Sequence, residues 1–369
     1  MKHTLFLLFA LVLSSTLLSQ EKTKKPFSIG VDYFYGNIFE HNIDIGHLIV
    51  GHPEGVMISY NRKTYGLTEA EQLHNFPDWG FTFMYQNMKN PVLGNNYSLY
   101  GHYTWYYLNR HVQLTVGTGI GYNTNPYDID TNFKNNAYGT SLLSTSLLKF
   151  GFVKENIWNG FGINTGLSFI HYSNGNFKAP NTSTNTFSVN IGMTYQIDHE
   201  NFPEYILLTE ENKTDFREPI AYNFVLRSGI NQSDLIGQNQ RAFYVVSAFA
   251  DKRLSFKSSV QAGVDVFFSN FIKDYVDYRS IAYPEDELTG DEDYKRVGVF
   301  LGHELHFNNT AFTSQLGYYV YWPNKFENRM YNRLGLKRYF FDGKYFGIVS
   351  VKSHWAKAEA IEFGVGIRI

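Results

Sequence analysis

Between residues 158 and 196 the chain alternates apolar positions with small or polar ones at a period of two. Phe161, Ile163, Thr165, Leu167 and Phe169 form one series, and Gly160, Gly162, Asn164, Gly166 and Ser168 the other. Successive side chains leave a strand on opposite sides, so this pattern predicts a strand with one apolar face. The same parity carries His171 and Ser173 onto that face. After a loop, Asn185, Phe187, Val189, Ile191, Met193 and Tyr195 alternate with Thr186, Ser188, Asn190, Gly192, Thr194 and Gln196, which predicts a second strand of the same kind. Paired antiparallel and closed by residues 174–184, the two strands gather His171, Ser173 and Asn185 at one end, on the apolar side. A strand needs about 9 to 11 residues to cross a bilayer, and residues 161–171 have that length. The cluster is therefore expected at a membrane interface, where a hydroxyl and an imidazole facing lipid suit a lipid substrate.

Similar alternation recurs along the chain. Phe27, Ile29, Val31, Tyr33 and Tyr35 show it, as do Val112, Leu114, Val116 and Ile120, then Val260, Ala262, Val264 and Val266, and finally Ile361, Phe363, Val365, Ile367 and Ile369. Less regular candidates lie at 56–60, 80–85, 97–107, 141–152, 221–229, 243–249, 297–307, 312–321, 332–340 and 345–351, giving roughly sixteen strands, an even number as barrel closure prefers. Alternation alone describes a water-soluble sandwich as well as an inside-out membrane barrel. No later segment reaches the roughly 18 consecutive apolar residues of a membrane helix, so a membrane protein here must be a barrel.

Composition separates the two. Aromatic residues make up 18% of the 369 residues, with 28 Tyr, 32 Phe and 31 Gly against 10 Pro, which suits aromatic-girdled strands. Residues 5–13 form a short apolar run after Lys2 and His3 and before small residues, the pattern of a secretory signal peptide. Together these favour an all-β fold: a transmembrane antiparallel β-barrel of the bacterial outer membrane with about 14–16 strands. One barrel is preferred, because two would each have to close and insert separately. The absence of Cys removes disulfides, thiolate catalysis, Cys-ligated zinc and lipoprotein anchoring. A net charge of −2, from 32 basic and 34 acidic residues, lacks the basic excess of nucleic-acid binding. Long polar stretches at 123–138 and 275–294 read as extracellular loops, short turns such as 108–111 as periplasmic ones. The Glu-rich stretch 197–219 breaks that rule and marks a boundary. The expected organisation is a signal peptide (1–20), a first half carrying the cluster (21–198), a periplasmic linker (199–218) and a second β-stranded half (219–369).

In the cluster, a neutral His could accept the proton of the Ser hydroxyl while Asn185 orients the ring. His-x-Ser spacing by itself describes equally well an interfacial His beside a surface Ser. His171-Tyr172-Ser173-Asn174, followed by Lys178 and by Pro180-Asn181, resembles the active-site signature of the outer-membrane lipid A 3-O-deacylases, the acyloxyacyl hydrolase-like family. The resemblance implies an eight-stranded barrel with its site on the lipid-facing side near the outer leaflet. It also implies Ser173 as nucleophile, His171 as base, Asn174 in the oxyanion hole and Asn181 supporting the loop. Two departures stand out. The family's acidic triad member falls on the neutral Asn185, and about 170 residues follow the point where such a barrel would end. An eight-stranded deacylase-like barrel plus a second β unit is therefore the alternative architecture.

His303-Glu304-Leu305-His306 lacks the helical spacing of a zinc hydrolase motif when read as a strand. Asp265, Arg296, Glu304, Lys257 and Gln261 are expected to line a polar lumen, and His354 to lie in a turn. The reading is thus an outer-membrane serine esterase acting without cofactor or metal on an acyl ester of lipid A or another outer-leaflet lipid. The alternative is a non-enzymatic porin-like or structural barrel; an adhesin built on the loops is a third possibility.

Overall fold

A computed structural model describes residues 26–209 and 218–369; the expected signal peptide and part of the expected linker lie outside these. Sixteen strands account for most of the described chain. The first eight are β1 (Phe27–Ile38), β2 (Glu54–Arg62), β3 (Asp78–Asn87), β4 (Asn95–Tyr107), β5 (Val112–Asn123), β6 (Leu142–Trp158), β7 (Phe161–Ser173) and β8 (Thr184–Gln196). The second eight are β9 (Ala221–Asn231), β10 (Arg241–Ser255), β11 (Ser258–Ser269), β12 (Lys295–Phe307), β13 (Thr310–Tyr321), β14 (Met330–Phe340), β15 (Tyr345–His354) and β16 (Lys357–Arg368). Each segment expected from alternation falls within one of these strands, overrunning it by at most a residue at either end. The apolar series faces outward as expected: Ile163, Leu167, Val189 and Ile191 are exposed, while Asn164, Ser168 and Asn190 are buried.

The expectation of a single closure is corrected. Each set of eight closes on itself into its own antiparallel barrel. β8 pairs along the whole of β1, from Ser28 opposite Gln196 to Ile38 opposite Thr186, so no free edge remains when β9 begins. Closure lets each strand pair on both sides within its own set of eight, which removes free sheet edges. β9 then pairs with both β10 and β16 to close the second barrel.

Two helices were not anticipated. α1 (Glu69–Leu73) lies in the β2–β3 connection, capped by the Thr68 side chain on the Glu71 N–H. α2 (Phe271–Ala282) follows β11, and its Phe271, Ile272 and Val276 bury against Phe326 of the β13–β14 connection.

Neither interior is an open tube. One end of each barrel carries the described chain ends and is called the terminal end here; the other is the distal end. In the distal half of the first barrel Met57, Met84, Tyr100, Tyr138, Leu143, Leu147 and Tyr172 pack into an apolar plug. Lower down, Lys149 pairs with Asp32 at 2.7 Å, and Lys63 with Asp78 at 2.6 Å. The second barrel combines buried ion pairs with apolar clusters, among them Val225, Phe249, Phe300 and Phe346. Arg333 reaches Asp265 at 3.0 Å and also bonds Glu362, Lys337 bonds Glu304 at 2.9 Å, and Arg296 bonds Glu359 at 3.0 Å. Asp265, Arg296, Glu304 and Gln261 line this interior as expected. Lys257 does not, because it sits in the tight β10–β11 turn. His354 is more than a turn residue: it is buried, with its Nε2 2.8 Å from Glu359.

The barrels touch at both ends. At the terminal end, Phe307 stacks on Tyr103 and His74, and the His74 Nε2–H donates to the His306 carbonyl at 2.8 Å. At the distal end, the β7–β8 connection meets the β9–β10 connection through four hydrogen bonds. The connector between barrels divides its allegiance: Tyr205 packs on Tyr65 and Phe76 of the first barrel, whereas Glu218 pairs with Arg368 and Arg253 of the second.

Candidate active site

The site is built where β7 and β8 end. His171 and Asn185 are direct cross-strand partners, preceded on the same outward face by the pair Phe169 and Phe187. These two phenylalanines have ring centroids 4.9 Å apart, and Phe39 packs edge-on to Phe187 at 5.8 Å, giving an aromatic floor beside the His–Asn pair on the barrel's outer face. The backbone under His171 is fixed from inside the barrel, since the Thr145 hydroxyl donates to the His171 carbonyl at 2.8 Å and is bonded in turn to Tyr100. A tilted, packed strand is a stiff mount, so the ring's position follows from the barrel's own core.

His171 Nδ1 lies 2.7 Å from Asn185 Oδ1. With the amide oxygen toward the ring, Nδ1 carries the proton and Nε2 is left with its lone pair, the tautomer that a general base needs.

Ser173 departs from expectation. It shares the outward parity, yet only 5% of it is exposed, so it does not face open lipid. The connection after β7 folds back over it. Ser173 Oγ donates to Asn181 Oδ1 at 3.1 Å and accepts from the Gly175 N–H at 3.0 Å. Its bonds are thus to the loop and not to His171, two residues away on the same face.

Asn181 is the hub of that loop, because its Oδ1 also accepts the Asn174 N–H at 2.9 Å. One Asn174 Nδ2–H is spent on the Lys178 carbonyl, while its Oδ1 is buried with no partner. The far side of the loop is tied to the β5–β6 connection, where Thr182 and Ser183 donate their N–H groups to the Asn136 and Ala137 carbonyls. His41, from the β1–β2 connection, completes the rim with Nε2 3.0 Å from the Thr182 carbonyl.

The five residues singled out in sequence therefore lie in one place: His171 and Asn185 bonded to each other, and Ser173, Asn174 and Asn181 bonded through the adjoining loop. Thr145, His41 and Gln232 of the β9–β10 connection, whose side chain accepts the Ala179 N–H, hold the cluster from other elements and carry no mark in the sequence that would separate them from ordinary barrel and loop residues. The His303–His306 segment brings nothing comparable, since His303 points outward to Ser258, whereas Glu304 and His306 point into the interior.

Residues 54–194 match the family described as Lipid A 3-O-deacylase (PagL), and residues 220–369 match the acyloxyacyl hydrolase C-terminal domain. No curated protein matches the chain. Among solved structures, the outer membrane enzyme PagL aligns over 44% of this chain and 97% of its own, at 16% identity and a TM-score of 0.30. A mutant of the Rhodopseudomonas blastica porin aligns over 93% of this chain and 99% of its own, at 10% identity and a TM-score of 0.19. The two family matches divide between the two barrels and together span more than half of the sequence. The chain is a β-barrel protein that belongs to the lipid A 3-O-deacylase, or acyloxyacyl hydrolase-like, family.

Proposed function

We propose that this protein is a serine esterase of the outer membrane that releases an ester-linked acyl chain from lipid A or a related outer-leaflet lipid. The observation that carries the reading is the 2.7 Å contact of His171 Nδ1 with Asn185 Oδ1, beside Ser173 and on the lipid-facing side of the barrel. A buried ring pair of that kind in a lumen would be ordinary packing; at the lipid boundary it presents a base to a lipid ester.

The acyl chain runs along the outward Phe169, Phe187, Leu167 and Val189, with its ester at the level of His171. The Ser173 hydroxyl turns from Asn181 to His171 Nε2, gives up its proton there, and Oγ attacks the ester carbon. The tetrahedral oxyanion takes the remaining Asn174 Nδ2–H, a donor aimed at charge that exists only in the transition state. Collapse breaks the bond to the sugar oxygen, which leaves with the proton from the imidazolium. Water then adds to the acyl-enzyme with His171 again as base, releasing the fatty acid and restoring Ser173. No metal or organic cofactor takes part in this scheme. The packed, ion-paired interior of the second barrel and the apolar plug of the first argue against a porin-like role.

Lipid A incubated with the purified protein tests the reading directly. Mass spectrometry should record loss of one ester-linked chain, and Ser173→Ala should lower the rate by at least about 10³-fold, as should His171→Ala, without additivity in the double variant. A folded protein that releases no fatty acid from lipid A or simple esters, or activity that survives Ser173→Ala, overturns it. The membrane face is tested separately: Ser183→Cys should react with an impermeant thiol reagent on intact cells, and protection there would remove outer-leaflet lipids as substrates.

A further inference from the structure

The second barrel is not explained by the chemistry proposed for the first, yet it grips the loop on which that chemistry depends. Gln232, the first residue after β9, is 2% exposed and makes three contacts with the β7–β8 connection. Its N–H donates to the Asn176 carbonyl at 3.0 Å, its carbonyl accepts from Asn176 Nδ2 at 3.0 Å, and its Oε1 accepts the Ala179 N–H at 3.2 Å. Gln240, at the other end of the same connection, donates to the Phe177 carbonyl at 2.8 Å. Ile361 of β16 fills the space where any side chain at position 175 would stand. Three successive stretches of the loop, at 175, 176–177 and 179, are therefore seated on the second barrel. Asn181 ties the loop to itself, and the first barrel supports it through the 136–137 carbonyls and His41.

We infer that Gln232 is a positioning residue for the catalytic loop, so that the esterase site is complete only when the second barrel is docked against the first. The inference rests on the esterase reading given above. Its chain of contacts is short: Gln232 fixes Asn176 and Ala179, the peptide before Asn176 holds Gly175, and Gly175 N–H bonds Ser173 Oγ. Lys178, whose carbonyl takes the Asn174 side chain, lies between the two fixed points. A shift of the loop thus moves the nucleophile and the oxyanion donor together, while the lipid-facing floor of Phe169 and Phe187, which belongs to β7 and β8, stays where it is. Misplacement of about 1 Å at a reacting group can cost about 10²-fold in rate. The loss should fall on kcat and spare KM.

The test uses the full-length protein in detergent micelles with lipid A, with steady-state kinetics and the rate of Ser173 labelling by a fluorophosphonate measured in parallel. Gln232→Leu keeps the side chain's bulk but removes the acceptor for Ala179. It should lower kcat about 10- to 100-fold and slow labelling by a similar factor, with KM changed less than about twofold. Gln232→Glu keeps an acceptor facing the Ala179 N–H but loses the Nε2–H donated to the Leu235 carbonyl at 3.1 Å, and it should recover part of the lost rate. Gln240→Leu, at the exposed rim, should act in the same direction and more weakly, and it decides the matter if Gln232→Leu does not fold, as judged by heat-modifiable migration on gels. Unchanged kcat in a folded Gln232→Leu, or in Gln240→Leu where the former fails to fold, overturns the inference. So does a loss confined to KM, or a Gln232→Glu variant as slow as Gln232→Leu. A wild-type protein that neither hydrolyses lipid A nor labels at Ser173 would instead overturn the esterase reading itself.

Discussion

Asn185 sits where a carboxylate would complete a charged triad, and its chemistry sets what the site is able to do. An amide oxygen fixes the ring tautomer as well as a carboxylate does, but it offers a dipole and not a full charge to the imidazolium of the proposed attack. Orientation and charge stabilisation can be separated by substitution. Asn185→Ala removes both and should lower kcat by about 10- to 100-fold without unfolding the barrel, since the side chain lies on the outward face. Asn185→Glu restores an acceptor and adds the charge, so its rate should equal or exceed that of the native protein. Measured deacylation in which Asn185→Glu is slower than Asn185→Ala would show that the neutral amide is required for another reason.

Among the elements, the β7–β8 connection has a backbone constrained at Gly175. Gly175 has φ of +63°, where an L side chain is disfavoured, and a Cβ there would also overlap Ile361. Gly175→Ala should cost about 1–2 kcal/mol of local backbone energy. It should also push the loop off the second barrel, with slower acyl release and faster hydrogen exchange over residues 174–180. The terminal-end contact titrates. Burial lowers the His74 pKa from its ordinary value near 6.5, although the bond to the His306 carbonyl works in the opposite direction. Docking thus favours the neutral ring: the contact is complete above pH 6.5 and weakens as pH falls from there through the lowered value of the docked state. Hydrogen exchange around residues 69–76 should speed up between pH 7 and pH 5, and His74→Gln, which can still donate to that carbonyl, should lose the pH dependence.

The molecule as a whole joins two barrels of the same strand number, the first with its apolar plug toward the distal end and the second with an extensive ion-pair network among apolar side chains. An apolar plug behind β7 gives the candidate site a rigid wall. The second barrel is held by ion pairs whose members are almost wholly withdrawn from solvent: Arg333 and its partners Asp265 and Glu362 are all at 0% exposure. Breaking such a pair leaves a buried charge without compensation, at a cost of about 3–5 kcal/mol. Arg333→Met should therefore lower the Tm of the purified protein markedly, and the loss should be partly reversed in an Arg333→Met, Glu362→Gln double variant, because one of the stranded charges is then gone. A Tm unaffected by Arg333→Met would mean that water reaches this interior.

Period-two alternation determined the strands and their outward faces, because successive side chains of a strand leave a closed sheet on opposite sides, apolar outside and polar within. The same parity, with one intervening loop, was enough to bring His171 opposite Asn185. How the sixteen strands close was left open by that pattern, since the outward face reads alike in a ring of eight and a ring of sixteen. The decision came from the pairing of β8 with β1, a contact between residues at opposite ends of the first half. The burial of Ser173 was hidden for a similar reason. Strand parity sends it toward lipid, and only the return of Asn181 and the seating of Asn176 on Gln232, 56 residues further along the chain, cover it. α2 escaped notice because a helix in a loop is held by Phe326 from another connection and not by a pattern of its own. Local periodicity fixes what each strand must face; which loop lies over which strand depends on contacts between distant residues, and these exist only once both barrels have closed.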